Sequence, residues 1–144
     1  MKRMIATLAV VLASLTIVRA DDRPVTFAQL PQAAQAFINN NYSGDKVSFA
    51  TVDDDFFRPD YQVVLVSGVR LQFENDGRLE SIKTKNGNIP AGIIPVQIMD
   101  AVKVYYPDAK ILEYEVGRRT YEVKLSNRLE LKFDSRFNVI ELDD

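Results

Sequence analysis

Tyr61-Gln62-Val63-Val64-Leu65 and Tyr121-Glu122-Val123-Lys124-Leu125 read as one strand written twice, 60 residues apart. The alternation that follows is also repeated, since Val69, Leu71 and Phe73 return as Leu129, Leu131 and Phe133. Upstream, Leu30-Pro31 followed by Phe37, Ile38 and Tyr42 returns as Ile94-Pro95 followed by Ala101, Val102 and Tyr106, now 64 residues apart. The first copy therefore holds four extra residues, within Asp53-Asp54-Asp55-Phe56-Phe57-Arg58-Pro59-Asp60. Their counterpart is the tight turn Gly117-Arg118-Arg119.

Each copy begins with a helix. Pro31 and Pro95 suit a first helical position, where a missing N–H costs nothing. Ala34, Phe37, Ile38 and Tyr42 fall on one face at helical spacing, as do Ile94, Ile98, Ala101, Val102 and Tyr105. Asp21 to Val25 reads as a polar lead-in, and Thr26-Phe27-Ala28-Gln29 has capping-box spacing. After each helix the period changes from 3.6 to 2. Strands are expected at 46–52, 61–66, 69–74 and 79–83, and again at 110–116, 120–125, 129–134 and 138–142. Ser67-Gly68, Ser126-Asn127 and Asn75-Asp76-Gly77 are hairpin connections. One such unit has too small a core to stand comfortably alone. The expected fold is α+β: two tandem α-β4 repeats, 26–85 and 89–144, forming one roughly eight-stranded antiparallel sheet with both helices on one face. The other face is then open, carrying Gln62, Val64, Arg70, Gln72, Glu74, Glu122, Lys124, Arg128, Glu130 and Lys132.

Residues 1–20 read as a cleaved signal peptide: Lys2 and Arg3, an apolar run from Met4 to Val18, then Val18-Arg19-Ala20. No Cys follows to carry a lipid, so the expected location is periplasmic, exported and soluble after cleavage. The segment holds three of the 18 basic residues and none of the 20 acidic ones, so its removal moves the net charge from −2 to −5. An acidic chain is a poor match for nucleic acid, which needs a basic field, and no membrane insertion is expected after cleavage. There is no His and no Cys. That removes the commonest general base, the commonest metal ligand and thiolate chemistry. No catalytic residue, metal site or cofactor is expected.

The Leu-Pro helix ending Phe-Ile-x-x-x-Tyr, the Tyr-x-Val-x-Leu strand, the hairpin and the strand closing on Phe-Glu or Phe-Asp, all doubled, resemble the PepSY-like, β-lactamase-inhibitor-protein-like family of bacterial envelope proteins. The resemblance spans 26–144 and implies two α-β4 units sharing one antiparallel sheet, with no catalytic residues to carry over. The namesake inhibitor presents loops and its open sheet face to an enzyme, and PepSY domains are thought to restrain peptidases. This chain lacks the namesake's disulfides.

The expected function is a non-enzymatic binding or inhibitor-like module for a protein or peptide of the cell envelope. The contact surface is the open face with the 53–60 loop, since a broad shallow face does not suit a small ligand. Candidate binding residues are Asp54, Asp55, Phe56, Phe57 and Arg58 in the loop, and Tyr114, Arg118 and Arg119 in the second copy. Aromatics and Arg dominate interface hot spots. Against this, either Phe folds back onto the core edge equally well, and Tyr114 forms an ordinary cross-strand pair. Two alternatives differ in class. Glu74 and Asp134 at equivalent strand ends would serve a carboxylate-based hydrolase of envelope polysaccharide. Asp53-Asp54-Asp55 would serve a cation-responsive module, although its spacing is not that of an EF-hand.

Overall fold

The computed structural model describes residues 22–53 and 59–144. Residues 1–21, which hold the expected signal peptide, and loop residues 54–58 lie outside that description.

The described chain forms one sheet in sequence order, every neighbouring pair antiparallel. Strand β1 is Asp22–Val25. A 3-10 turn, Phe27–Gln29, leads into helix α1, Gln32–Asn41. Then come β2 Val47–Asp53, β3 Asp60–Leu65, β4 Arg70–Phe73 and β5 Leu79–Lys83. Helix α2, Val96–Tyr105, opens the second half, followed by β6 Ile111–Val116, β7 Thr120–Leu125, β8 Glu130–Asp134 and β9 Val139–Asp143. The family fold read from the sequence is present, with one addition. The expected polar lead-in is a strand, β1, which pairs with β2 from Asp22↔Asp53 to Val25↔Ala50. Four residues with a central Pro24 carry little strand signal, and an edge position is where such a strand is tolerated.

The register explains the core. Val25, Ala50, Val63, Leu71, Ile82, Tyr114, Val123, Leu131 and Leu142 stand in one row across all nine strands. Alternation along each strand puts this row under the helices. Ala34, Ile38, Ile98 and Val102 from the helices join Val63, Leu71, Phe73, Ile82, Val123, Leu131 and Phe133 in a single buried cluster. Each fully buried Leu, Ile or Phe contributes about 1.5–3 kcal/mol. Tyr105, expected on the packed stripe of α2, is instead 60% exposed, and Tyr106 packs on the core. Tyr106 stands four residues after Val102 and eight after Ile98, on the row the helix buries, and its N–H still bonds the Val102 carbonyl.

The two halves share their irregularities as well as their strands. Bulges sit between Val47 and Phe49 and between Ile111 and Glu113. Others sit between Gln72 and Phe73 and between Lys132 and Phe133. The packing within this shared frame is exchanged. In the first half the helix supplies a large Phe37, which meets Phe73, and the strand a small Ala50. In the second, the helix supplies Ala101 and the strand supplies Tyr114. Tyr114 stacks on Tyr121 at 6.4 Å, and Tyr121 stacks on Phe137 at 5.2 Å. Similar volume is filled from opposite sides, as close-packed interiors require.

Candidate binding face

The side of the sheet away from the helices is organised in two long rows. One runs Pro24, Thr51, Gln62, Gln72, Ser81, Glu115, Glu122, Lys132, Glu141. The other runs Phe49, Val64, Arg70, Lys83, Glu113, Lys124, Glu130, Asp143. The first half is mostly neutral, with Ser81 Oγ donating to Gln72 Oε1 at 2.9 Å. The second half is a charged ladder. Lys83 and Lys124 approach Glu113 at 3.4 and 3.9 Å, Lys124 approaches Glu130 at 3.7 Å, and Lys132 approaches Glu141 at 3.8 Å. Partly exposed pairs at such distances add little stability, about 0–1 kcal/mol each. Their role is to set the face's pattern.

Acid outweighs base on this ladder, and the carboxyls respond to it. Burial raises the Glu80, Glu115 and Glu122 carboxyls above the ordinary range, with neighbouring acids adding to the effect. For Glu80 those acids are Asp60 and Glu74. Asp60 is raised by burial and then by Asp53 and Glu74. One Glu80 carboxylate oxygen is buried with no hydrogen-bond partner among the described residues. Between the halves lies a shallow polar depression of about 290 Å³ lined by Gln72, Glu80, Ser81, Glu115 and Glu122 among others.

The expected site residues part company here. Tyr114 does not belong to the open face. It is 3% exposed, and its hydroxyl is pushed up to about 12 by burial and then by Tyr121. The charged neighbours Glu113 and Glu115 take the open side instead, because burying either would strand a carboxylate among apolar groups. Arg118 and Arg119 are exposed in the β6–β7 turn. That turn and the strand ends Asp53 and Asp60 lie at the same end of the sheet, about 19 Å apart at roughly 4.8 Å per strand. Asp54, Asp55, Phe56, Phe57 and Arg58 lie outside the described residues. Phe49, half exposed beside Val64, is an open-face aromatic that strict alternation hides. The bulge after Val47 turns it outward. Setting Phe49 against Glu113, its counterpart 64 residues on, is the signal that finds it.

Glu74 and Asp134 both serve their own hairpins. Glu74 pairs with Arg78 at 2.9 Å. Asp134 accepts from the backbone N–H groups of Arg136 and Asn138 and from the Asn138 amide. Turn carboxylates bonded in this way stabilise the reversal of the chain.

A doubled helix-and-strand frame with one face covered and the other bare defines a class, and the comparisons agree with it. The chain belongs to the family described as "Putative beta-lactamase-inhibitor-like, PepSY-like", whose model matches residues 16–57 and 59–141. It is similar to a "putative calcium-regulated periplasmic protein" of Bacteroides thetaiotaomicron, with 43% identity and a TM-score of 0.82 over 86% of this chain and 98% of that one. A periplasmic protein of Bacteroides vulgatus is 39% identical over 88% and 100% of the two chains, with a TM-score of 0.82. Another from the same species, of unknown function, is 32% identical over 85% and 99%, with a TM-score of 0.80. No curated protein matches the chain. Among the described residues no helix is long and apolar enough to cross a membrane.

Proposed function

We propose that the protein is an exported, periplasmic, non-enzymatic binding module that docks a protein or peptide of the cell envelope on its open sheet face. The observation that supports this best is the bare face itself, two rows of side chains opposite the helices with Phe49 half exposed at one side. The depressions on it are shallow and polar, unlike the concave apolar sites that take small molecules. The contact surface extends to the end where Arg118, Arg119 and the loop Asp54, Asp55, Phe56, Phe57, Arg58 emerge. The test is capture from a periplasmic extract by the immobilised protein. A partner is expected that is lost with Phe57→Ala plus Arg119→Ala and with Gln72→Arg. Retention of every captured protein by both variants would overturn the assignment.

A second reading, a cation-responsive module, is favoured by the relative described as calcium-regulated. Asp53, Asp60, Glu74 and Glu80 are like-charged neighbours of one another, although the described residues hold no group of three ligands close enough for a metal. Melting curves address both the repulsion and the cation. Carboxyls raised in the folded state add stability that is complete below the ordinary carboxylate range and lost as pH rises through their raised values. Asp60, Glu80, Glu115 and Glu122 are such groups. Asp45, Asp76 and Asp134 are held low by hydrogen bonds, and their stabilisation fades only as pH falls below about 4. Tm is therefore expected to rise from pH 7.5 to pH 5 and to fall below pH 4. The cation reading adds a rise with millimolar calcium at pH 7.5, and an unmoved Tm removes it.

A further inference from the structure

The two edges of the sheet are not equally finished. The β1 edge is short and carries Arg23 and Pro24, devices that discourage further pairing. The β9 strand, Val139-Ile140-Glu141-Leu142-Asp143, has neither Pro nor Lys. Among the described residues it pairs only with β8, through a register that includes Leu131↔Leu142 and Lys132↔Glu141. Ile140 and Leu142 are 54% and 50% exposed. The counterpart of β9 in the first half is β5, 60 residues earlier, and there the same edge is occupied. β5 receives β6 antiparallel, Ile82↔Tyr114, and Ile82 is fully buried while its counterpart Leu142 is not. The β9 edge is thus half of a junction that the molecule completes once internally.

We propose that the free edge of β9 accepts an extended, basic segment of a partner protein as a tenth, antiparallel strand. Charge selects the occupant. On the open side, Glu141 and Asp143 stand with Glu122 and Glu130 around a depression of about 100 Å³ in which Lys132 is the sole cation. At the internal junction the acidic Glu113 of β6 meets Lys83 of β5 across the strands. At β9 the acids are on the accepting strand, so the arriving strand carries the Lys or Arg. On the helix side, Val139 and Leu142 call for apolar residues at the alternate positions. A second copy of this chain is a poor occupant. Antiparallel β9–β9 pairing sets Glu141 against Glu141 or Asp143, and like charges directly opposite destabilise a pair. Main-chain bonds give such added strands affinity and alternate side chains give them specificity.

This inference rests on the binding-module reading but uses a different surface. The probe is an alternating Lys–Val heptapeptide, tested on the full chain by fluorescence anisotropy at physiological salt. It is expected to bind at least tenfold more tightly than the Glu–Val heptapeptide and than a Lys–Val version with Pro at its centre. Glu141→Lys with Asp143→Lys is expected to abolish that preference, with Tm checked to show the fold intact. Asp22→Lys at the opposite edge is expected to change nothing. Equal binding of the Pro-interrupted peptide would mean charge adhesion without strand addition and would overturn the proposal, as would no binding. So would a peptide-independent dimer that the double charge reversal disrupts. The Phe57→Ala plus Arg119→Ala variant keeps peptide binding if the edge acts alone. In that variant, loss of envelope capture with peptide binding retained is the result expected when both readings hold. An unaltered chain that binds the peptide but captures no envelope protein counts against the open face, and one that captures a partner but does not bind the peptide counts against the edge.

Discussion

Phe73→Ala is expected to cost about 3–5 kcal/mol, the range for truncating a buried aromatic. For a domain of this size that lowers Tm by roughly 10–20 °C. Phe73 is fully buried. It pairs with Tyr61 across β3 and with Leu79 across β5, and its ring meets Phe37 of α1 edge-to-face at 5.6 Å. The neighbours that would have to collapse into the space are strand residues fixed by the ladder, so relaxation is limited. Chemical denaturation measures the loss. Phe133→Ala, at the corresponding place in the second half, tests the packing exchange between halves. Phe133 is equally buried, but Ala101 stands where Phe37 stands in the first half. A double-mutant cycle of Phe73→Ala with Phe37→Ala should therefore show a coupling of about 0.5–1.5 kcal/mol. The cycle of Phe133→Ala with Ala101→Gly should show none of that size. Equal couplings would mean that the aromatic contact adds nothing beyond its area.

Much of this was legible in the sequence because the chain states it twice. Val63, Leu71 and Phe73 share one phase of the alternation, the phase that is buried, and their counterparts Val123, Leu131 and Phe133 repeat the statement. Besides the place of Tyr105, three things escaped, each for a physical reason. β1 escaped because Pro24 and two charges make it a strand only by virtue of the neighbour it pairs with. The outward turn of Phe49 escaped because a bulge breaks the period on which alternation depends. Tyr114 was read as a possible contact because Leu112-Glu113-Tyr114-Glu115-Val116 alternates equally well in either phase. The choice between phases is made by burial cost. A Tyr at the core edge loses little, whereas two glutamates there would lose far more. The loop aromatics Phe56 and Phe57 are a different matter, since an insertion found in one copy has no counterpart to read it against.

Gly77→Val is expected to be nearly as damaging as the loss of Phe73, at about 3 kcal/mol or more, and for a reason that involves two separate terms. Gly77 closes the β4–β5 turn at φ +88°, a region that costs an L-residue about 1–2 kcal/mol. A Cβ built there would lie 2.8 Å from the backbone nitrogen of Ala34, 2.9 Å from Ala33 Cβ and 3.0 Å from Pro31 Cβ. The turn is pressed against the start of α1, and none of those atoms belongs to a flexible side-chain tip. Overpacking adds about 1–3 kcal/mol. Other glycines separate the terms. Gly92 has φ +92° and open space around it, so Gly92→Ala should show the backbone cost alone. Gly44 has neither a positive φ nor a close neighbour, so Gly44→Ala should be neutral or stabilising by about 0.4–1 kcal/mol. The second half puts a side chain at the same position. Phe137 occupies it at φ +66° and lays its ring on Tyr121. If Gly77→Val melts no lower than Gly92→Ala, the contact between this turn and α1 is slack, and the first half is not held in the way its close approach implies.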